Sequence, residues 1–145
     1  LYTGPLDGDG RRSLYIKCQL MESPHFLRAF NLPGGKVTQG RRDSSNVPAQ
    51  NLAMLNDPFV LAMADLWAQG LVTADSQSVA DRIDGMLRVA LSRDATESER
   101  ERLSRAAHQF ARQHEVADED VLRSPLVWRD VAHTVFNFKE FIFLP

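Results

Sequence analysis

The apolar residues of this chain recur mainly with the period of an α-helix. Between Pro58 and Gln69 they form one broad face, made of Phe59, Val60, Met63, Ala64, Leu66 and Trp67. Ser78 is expected to cap the next helix, which has a narrower stripe made of Val79, Ile83, Met86, Leu87, Ala90 and Leu91. Apolar positions at this spacing are typical of helices that pack against a core. The pattern therefore predicts two core helices, and Gly70 is expected to end the first of them.

Short polar residues followed by proline mark further helix starts in the first half of the chain. Ser23-Pro24 predicts a short helix over residues 25–30, and Pro48 opens a helix that runs to about Leu55. Asn56-Asp57-Pro58 supplies the cap and the first-turn proline of the helix that follows. Proline is tolerated in a first turn because the N–H that it lacks has no partner there.

The C-terminal third shows two more helix starts and an apolar end. Thr96 to Glu99 matches the Thr-x-x-Glu capping box, which predicts a helix with an inward face of Leu103, Ala107, Phe110 and Ala111. Ser124-Pro125 predicts a helix that carries Trp128, Val131, Ala132, Val135 and Phe136. The chain closes on Phe138, Phe141, Ile142, Phe143 and Leu144. This end is expected to dock on the core, because an exposed cluster of this kind would form a large apolar patch.

Residues 12–19 show the alternation of a half-buried strand. Leu14, Ile16 and Cys18 alternate with more polar neighbours. A single strand needs a partner, which we expect to be its own symmetry mate, upstream chain or a short irregular segment. From Gly34 to Asn46 no apolar period occurs, and this predicts a long polar loop that is either functional or mobile.

Together these elements predict a mainly α fold, a compact bundle of about five helices with one short N-terminal strand and a long polar loop. Residues 1–10 are rich in glycine and are interpreted as a linker or a remnant of upstream chain. The chain has 145 residues, of which 43% are hydrophobic. Residues 11–145 are therefore expected to form a single helical domain.

Composition and charge exclude several classes of function. A formal net charge of −2 gives no overall attraction to nucleic acid, so none is expected as a partner. The apolar runs fall well short of the roughly 20 residues of a membrane helix, so no membrane insertion is expected. Cys18 is the only cysteine, which excludes an internal disulfide and a Cys-X-X-Cys-His haem attachment. Its place in the strand pattern indicates a packing residue, and no cofactor is expected in this chain.

The most suggestive polar cluster is basic and lies mainly in the long loop. It consists of Arg41, Arg42, Ser45 and Asn46, with Arg12 as a further member. Arginines beside small polar side chains bind carboxylate, sulfate or phosphate through charge-assisted hydrogen bonds. This predicts an anion- or ligand-binding site. The alternative is that an arginine pairs with Asp43, Asp57 or a helix C-terminus and only locks the loop.

The histidines give weaker signals. The four histidines lie in separate predicted elements, and none has the i, i+4 partner of a zinc-binding helix, so no metal site is expected. His133 is interpreted as a partly buried structural residue, with a ligand or a general base as the alternative. Common hydrolase, kinase and dehydrogenase motifs do not occur in the sequence, so the catalytic residues are unknown.

An ordered series of motifs resembles one known family. The motifs are GRRSLY at 10–15, FNLP at 30–33, RRDSSNVPAQ at 41–50, LNDPFV at 55–60, Arg82-Ile83, ALSRDATESE at 90–99, Trp128 and HTVFNFKEFI at 133–142. The chain resembles the C-terminal PSD domain of planctomycete-type exported proteins that also carry a cytochrome c domain. The resemblance spans nearly the whole chain. Where this chain has Asn31, Asn51 and Ser92, that family commonly has Asp, Ala and Gly.

The resemblance implies a context rather than a mechanism. It implies the C-terminal domain of an exported multidomain protein, located in the periplasm or cell envelope. The partners would then be upstream domains of the same protein, and any haem c would lie on an upstream domain. The resemblance supplies no catalytic residues.

Three hypotheses for function remain at this point. The first is a non-catalytic binding or scaffolding module, with an acidic or sulfated polysaccharide as its ligand. The second is a part of a redox or carbohydrate-active enzyme whose site is completed by upstream domains, with His133, Asp57 and Glu140 as candidate groups. The third is a module that assembles its parent protein through the strand and the aromatic tail. The sequence leaves enzymatic activity open.

Overall fold

A computed structural model describes residues 13–15, 24–33, 40–41 and 48–143. The helices are α1 (His25–Ala29), α2 (Pro48–Asn56), α3 (Pro58–Thr73), α4 (Val79–Leu91), α5 (Glu97–Gln113), α6 (Pro125–Phe136) and α7 (Lys139–Ile142). Two 3-10 segments, Ser13–Tyr15 and Asp118–Arg123, complete the order. No strand occurs in these described ranges, and the predicted mainly α class is confirmed.

The segment predicted to be a strand is described only in part. Ser13–Tyr15 form a 3-10 turn and not extended backbone, so the prediction is wrong for these three residues. A strand satisfies its backbone N–H and C=O groups only through a partner strand, and the described residues offer none. The remainder of the segment, including Cys18, lies outside the described residues, as do the predicted linker 1–10 and most of the loop 34–46.

The chain divides into two compact units, Leu1–Ala62 and Met63–Pro145, with the boundary inside α3. The single domain predicted over 11–145 stays a prediction. In the first unit α1 packs against α2. The Phe26 ring lies 5.0 Å from that of Phe30 and 5.3 Å from that of Phe59, measured between ring centroids. Aromatic pairs at these separations stabilise a small apolar cluster.

The second unit contains a continuous apolar core to which α3, α4, α5, α6 and the second 3-10 segment contribute. Its buried members are Ala64, Ala68, Ile83, Met86, Leu87, Ala95, Leu103, Ala107, Ala111, Val121, Val127, Trp128, Val131, Ala132 and Val135. Helix α5 lies against both α4 and α6. The stripes predicted for α4, α5 and α6 supply most of this core, so the helical periodicity identified the correct faces.

The starts of α3, α4 and α5 follow the predicted caps. At α1 the N-cap residue is Pro24, which was predicted as the first helical residue, and Ser23 lies outside the described residues. Ser78 Oγ accepts a hydrogen bond from the Asp81 N–H at 3.1 Å, and Asp57 Oδ1 accepts one from the Phe59 N–H at 2.9 Å. Thr96 and Glu99 form the reciprocal capping box at the start of α5. Each such cap satisfies an amide that the helix leaves open and contributes about 1 kcal/mol.

Helix α3 does not end at Gly70, contrary to prediction, but continues to Thr73. An exposed glycine within a helix costs about 1 kcal/mol relative to alanine. Leu71 and Val72 pack against the core, and burying two such side chains outweighs that cost. The Thr73 hydroxyl then donates to the Gly70 carbonyl at 2.8 Å in the last turn.

The apolar end of the chain docks as predicted over its described part, while Leu144 lies outside the described residues. Phe136 stacks on Trp67 with ring centroids 5.3 Å apart, and Phe141 lies 5.1 Å from Phe136. Phe138 packs against the core. Phe141 nevertheless keeps 40% of its surface exposed, so α7 also presents an apolar side chain to solvent.

Candidate functional site

Of the predicted anion site, the structure describes Arg41 alone. Arg41 is exposed, as is its neighbour Gly40. Arg12, Arg42, Ser45 and Asn46 lie outside the described residues. Arg41 is therefore accessible to a ligand from solvent.

The three groups considered for catalysis have structural contacts. Asp57 caps α3 through the Phe59 amide. Both carboxylate oxygens of Glu140 accept hydrogen bonds from Arg93, at 2.8 and 2.6 Å. His133 is partly buried in α6, and its backbone carbonyl accepts a hydrogen bond from the Asn137 side chain at 2.8 Å. Asp57 and Glu140 thus serve the fold through their carboxylates.

The second unit contains an open groove of about 730 Å³ between the end of α4 and the segment around α7. Its lining residues are Ala90, Leu91, Ser92, Lys139, Glu140, Phe141 and Phe143. Aliphatic and aromatic side chains form most of the walls, and three polar residues complete them. This composition is typical of sites that hold a small ligand.

The groove exists because α4 ends abruptly at Leu91. Ser92 adopts a left-handed conformation with φ 56°, and its N–H donates to the Arg88 carbonyl at 3.1 Å. A left-handed residue closes the helix and redirects the chain, and glycine is the residue that adopts this conformation most easily. The turn leaves Ala90 and Leu91 facing the space beside α7.

Arg93 holds the α7 side of the groove in place. Its guanidinium donates to both oxygens of Glu99, at 2.9 and 2.8 Å, and to both oxygens of Glu140. These hydrogen bonds, with Glu140 first and Glu99 second, raise the pKa of Arg93 above its ordinary value. A planar guanidinium suits two such paired contacts, which fix orientation as well as charge.

The same network lowers the pKa of both carboxyl groups. The hydrogen bond from Arg93 is the main cause for Glu99, whose pKa falls to about 2, and the Thr96 backbone and hydroxyl donors lower it further. The hydrogen bond from Arg93 likewise lowers the pKa of Glu140. Glu99 therefore combines two roles, as a member of the α5 capping box and as an anchor for Arg93.

Lys139 is the charged residue of the groove whose ammonium group can still donate hydrogen bonds to a ligand. It is exposed, and it makes no ion pair with any carboxylate of the described residues. Glu140, the other charged group in the lining, already accepts from Arg93 on both oxygens. The groove therefore offers a positive group to a ligand and no free negative one.

A second arginine, Arg82 of α4, is only 5% exposed. It donates to the Ala74 carbonyl at 3.0 Å, to the Leu122 carbonyl and to Ser76 Oγ at 3.3 Å. Its guanidinium carbon lies 5.0 Å from the centroid of the Trp128 ring, a cation–π distance. Burial lowers the pKa of Arg82. This role of Arg82 was not predicted, although its position four residues before Met86 placed a charge on the core face of α4.

A histidine–carboxylate pair was also missed. His114 Nε2 lies 2.7 Å from Asp130 Oδ2, and Arg129 Nε donates to Asp130 Oδ1 at 3.0 Å. A carboxylate in this position fixes the orientation and tautomer of an imidazole. His114 is the C-cap residue of α5, and its backbone N–H donates to the Phe110 carbonyl at 2.9 Å. Sequence alone gave no signal, because the two residues are 16 positions apart on different helices.

The described residues contain neither a cluster suited to a metal ion nor a helix suited to a membrane. No group of three or more histidine, cysteine, aspartate and glutamate side chains within the described ranges is arranged to hold a metal ion. Within those ranges, every helix is too short or too polar to cross a bilayer.

Residues 4–107 match the PSD1 family, which is described as a protein of unknown function (DUF1553). The match ends at Ala107 within α5, so α6 and α7 lie beyond the matched segment. No curated protein and no solved structure matches the chain.

Proposed function

The chain belongs to the PSD1 family, and we propose that it is a non-catalytic binding or scaffolding module of a larger exported protein. The observation that carries this proposal is the use of candidate catalytic carboxylates by the fold itself. Asp57 caps α3, and Glu140 is held by Arg93 on both oxygens. A general acid or base must instead be free to reach a substrate proton.

The proposed ligand is an acidic or sulfated polysaccharide bound by the basic segment. Arg41 is exposed, and Arg42 follows it directly in the sequence. Guanidinium groups bind sulfate and carboxylate with paired hydrogen bonds, and adjacent arginines suit a polymer that repeats such groups. Arg12, Ser45 and Asn46 are further candidate contacts. Nucleic acid is not proposed, because the net charge of −2 gives no overall attraction.

Binding of dextran sulfate by the full chain tests the ligand. The double variant Arg41→Ala, Arg42→Ala should lose at least about tenfold in affinity, since two charge-assisted contacts are removed. The matched control is Arg102→Ala, Arg105→Ala, which removes the same charge from the exposed face of α5. Equal affinity of the loop variant and the wild type would contradict the proposal, and so would equal losses in both double variants.

The proposed setting rests on the resemblance to cytochrome c-associated proteins of planctomycetes. It places this module in the periplasm or cell envelope, with upstream domains as partners and haem c on one of them. A haem stain and an absorbance spectrum of the full-length native protein test this setting. Covalent haem upstream of Leu1 supports it, and a full-length protein without haem contradicts the cytochrome association.

A further inference from the structure

We propose that the groove between the end of α4 and α7 binds an elongated apolar molecule with an anionic head, of the alkyl carboxylate class. This site consists of residues other than those of the basic segment around Arg41. The proposal depends on three observations: apolar walls, one available positive group, and a firmly positioned α7.

The walls of the groove suit an alkyl chain. Ala90 and Leu91 line one side, and Phe141 and Phe143 belong to the segment on the other side. Phe141 is 40% exposed although its ring also contacts Phe136, so part of its apolar surface remains in water. Covering such surface with an apolar ligand is favourable in proportion to the area removed from water. The groove volume of about 730 Å³ is large enough for a chain of about ten carbons.

The polar groups of the groove select an anionic head. The Lys139 ammonium is unpaired among the described residues and carries three hydrogen-bond donors. Ser92 adds a hydroxyl that can donate to the same head group. A cationic head would face Lys139 without a free carboxylate to bind it, because Glu140 is already paired with Arg93. Charge complementarity therefore indicates a carboxylate at the Lys139 end.

The position of Lys139 is set by its two neighbours in the chain. Phe138, the preceding residue, packs against the core, and Glu140, the next residue, is held by Arg93. A lysine between two anchored residues has a defined backbone position, which lowers the entropy lost when a ligand binds. The groove is thus arranged before any ligand arrives.

Isothermal titration of the full chain with decanoate tests the proposal. Decanoate should bind with a saturable one-site isotherm below its micelle concentration. Butyrate, which keeps the head and loses most of the chain, should bind at least about tenfold more weakly because fewer methylene groups are buried. Decyltrimethylammonium, which keeps the chain and reverses the charge, should show the same loss or no binding. Equal binding of decanoate and decyltrimethylammonium would indicate unspecific adsorption and overturn the proposal.

Two variants locate the site. Lys139→Met keeps the aliphatic stem but removes the charge, and the affinity for decanoate should fall about tenfold. Arg112→Met is the matched control on the exposed face of α5 and should bind as the wild type does. Ala90→Phe fills the groove from α4 and should abolish binding while the circular dichroism spectrum stays that of a folded protein. Wild-type affinity in both Lys139→Met and Ala90→Phe would refute the site.

The basic segment provides a further internal control. The Arg41→Ala, Arg42→Ala variant should bind decanoate with wild-type affinity, whatever its effect on dextran sulfate. If this variant lost decanoate binding while Lys139→Met kept it, the carboxylate would be bound by the basic segment, and the groove proposal would be wrong.

Discussion

The first turn of α4 and the loop that follows α4 each contain an arginine with several hydrogen bonds, but the partners of Arg82 are neutral and those of Arg93 are charged. Arg82 is buried and donates to two neutral carbonyls beside a tryptophan ring. Arg93 lies at the surface, with a third of its side chain exposed, and donates to two carboxylates. A guanidinium can therefore have its hydrogen bonds satisfied by neutral carbonyls, as in Arg82, without a carboxylate that neutralises its charge. Arg82 connects distant backbone segments, whereas Arg93 connects side chains in a network that salt and pH can weaken.

Removing the buried arginine should have the largest effect. Arg82→Met should lower the free energy of unfolding by about 2–3 kcal/mol, because the Ala74 and Leu122 carbonyls lose a charged donor in a partly buried site. Urea denaturation measures this loss, which should change little with salt. Arg102→Met, an exposed arginine on α5, is the control and should stay near the wild type. If Arg82→Met lost no more stability than the control variant, water would have replaced the guanidinium as the donor to the two carbonyls.

Removing the surface arginine should have a smaller and salt-dependent effect. Arg93→Met should cost about 1–2 kcal/mol, since exposed ion pairs are weak and only their combination in a network adds up. The difference from the wild type should shrink in about 0.5 M salt, where the Debye length is only a few ångströms. Urea denaturation at two salt concentrations measures it. A cost that is the same at both concentrations would show that packing, and not charge, explains the role of Arg93.

The pH dependence of stability tests the contribution of Glu99 to the free energy of unfolding. Its pKa is about 2 in the folded protein and 4.5 ordinarily, so the folded state favours the ionised form. Stability from this group is therefore complete above about pH 4.5 and is lost as the pH falls toward 2. Because Glu99 borders solvent, we expect a loss of about 1 kcal/mol. In Glu99→Gln this component should disappear, which denaturation at a series of pH values would detect. An unchanged acid limb in that variant would contradict the assignment.

The smallest effect is expected for the exposed pair of Arg88 and Asp94. The two side chains are 67% and 73% exposed, although their closest atoms lie 2.7 Å apart. The hydrogen bond to Asp94 raises the pKa of Arg88. Water nevertheless stabilises the two separated charges almost as well as the pair stabilises them, because both side chains are exposed. Arg88→Ala should leave the urea midpoint within experimental error of the wild type. A clear loss of stability would show that distance alone predicts the strength of surface pairs here.

The sequence was informative where structure depends on neighbours along the chain. Ser78, Thr96 and Ser124 were identified as caps because a cap acts on amides two or three positions away. The faces of α4, α5 and α6 followed from the spacing of apolar residues. Gly70 was misjudged because its effect on α3 depends on Leu71 and Val72, whose packing partners are remote in sequence.

The candidate site was less predictable, since its contacts join remote positions. Arg93 and Glu140 are 47 positions apart, and Arg82 reaches Leu122 across 40. No local pattern encodes such pairs, and the groove follows from the turn at Ser92 together with the docking of α7. The basic cluster was visible in the sequence, but only Arg41 belongs to the described residues, so its geometry stays a prediction.

The two tryptophans of the second unit lie in different environments, and this gives the protein an internal optical reporter. Trp128 is fully buried, donates its indole N–H to the Val121 carbonyl at 2.8 Å and faces the Arg82 guanidinium. Trp67 is only partly buried and stacks on Phe136, next to the docked end of the chain. Indole emission shifts to longer wavelength as the ring meets water. In a Trp67→Phe variant the emission of Trp128 would therefore report on the interior alone. In a Trp128→Phe variant the emission of Trp67 would report on release of the C-terminal segment.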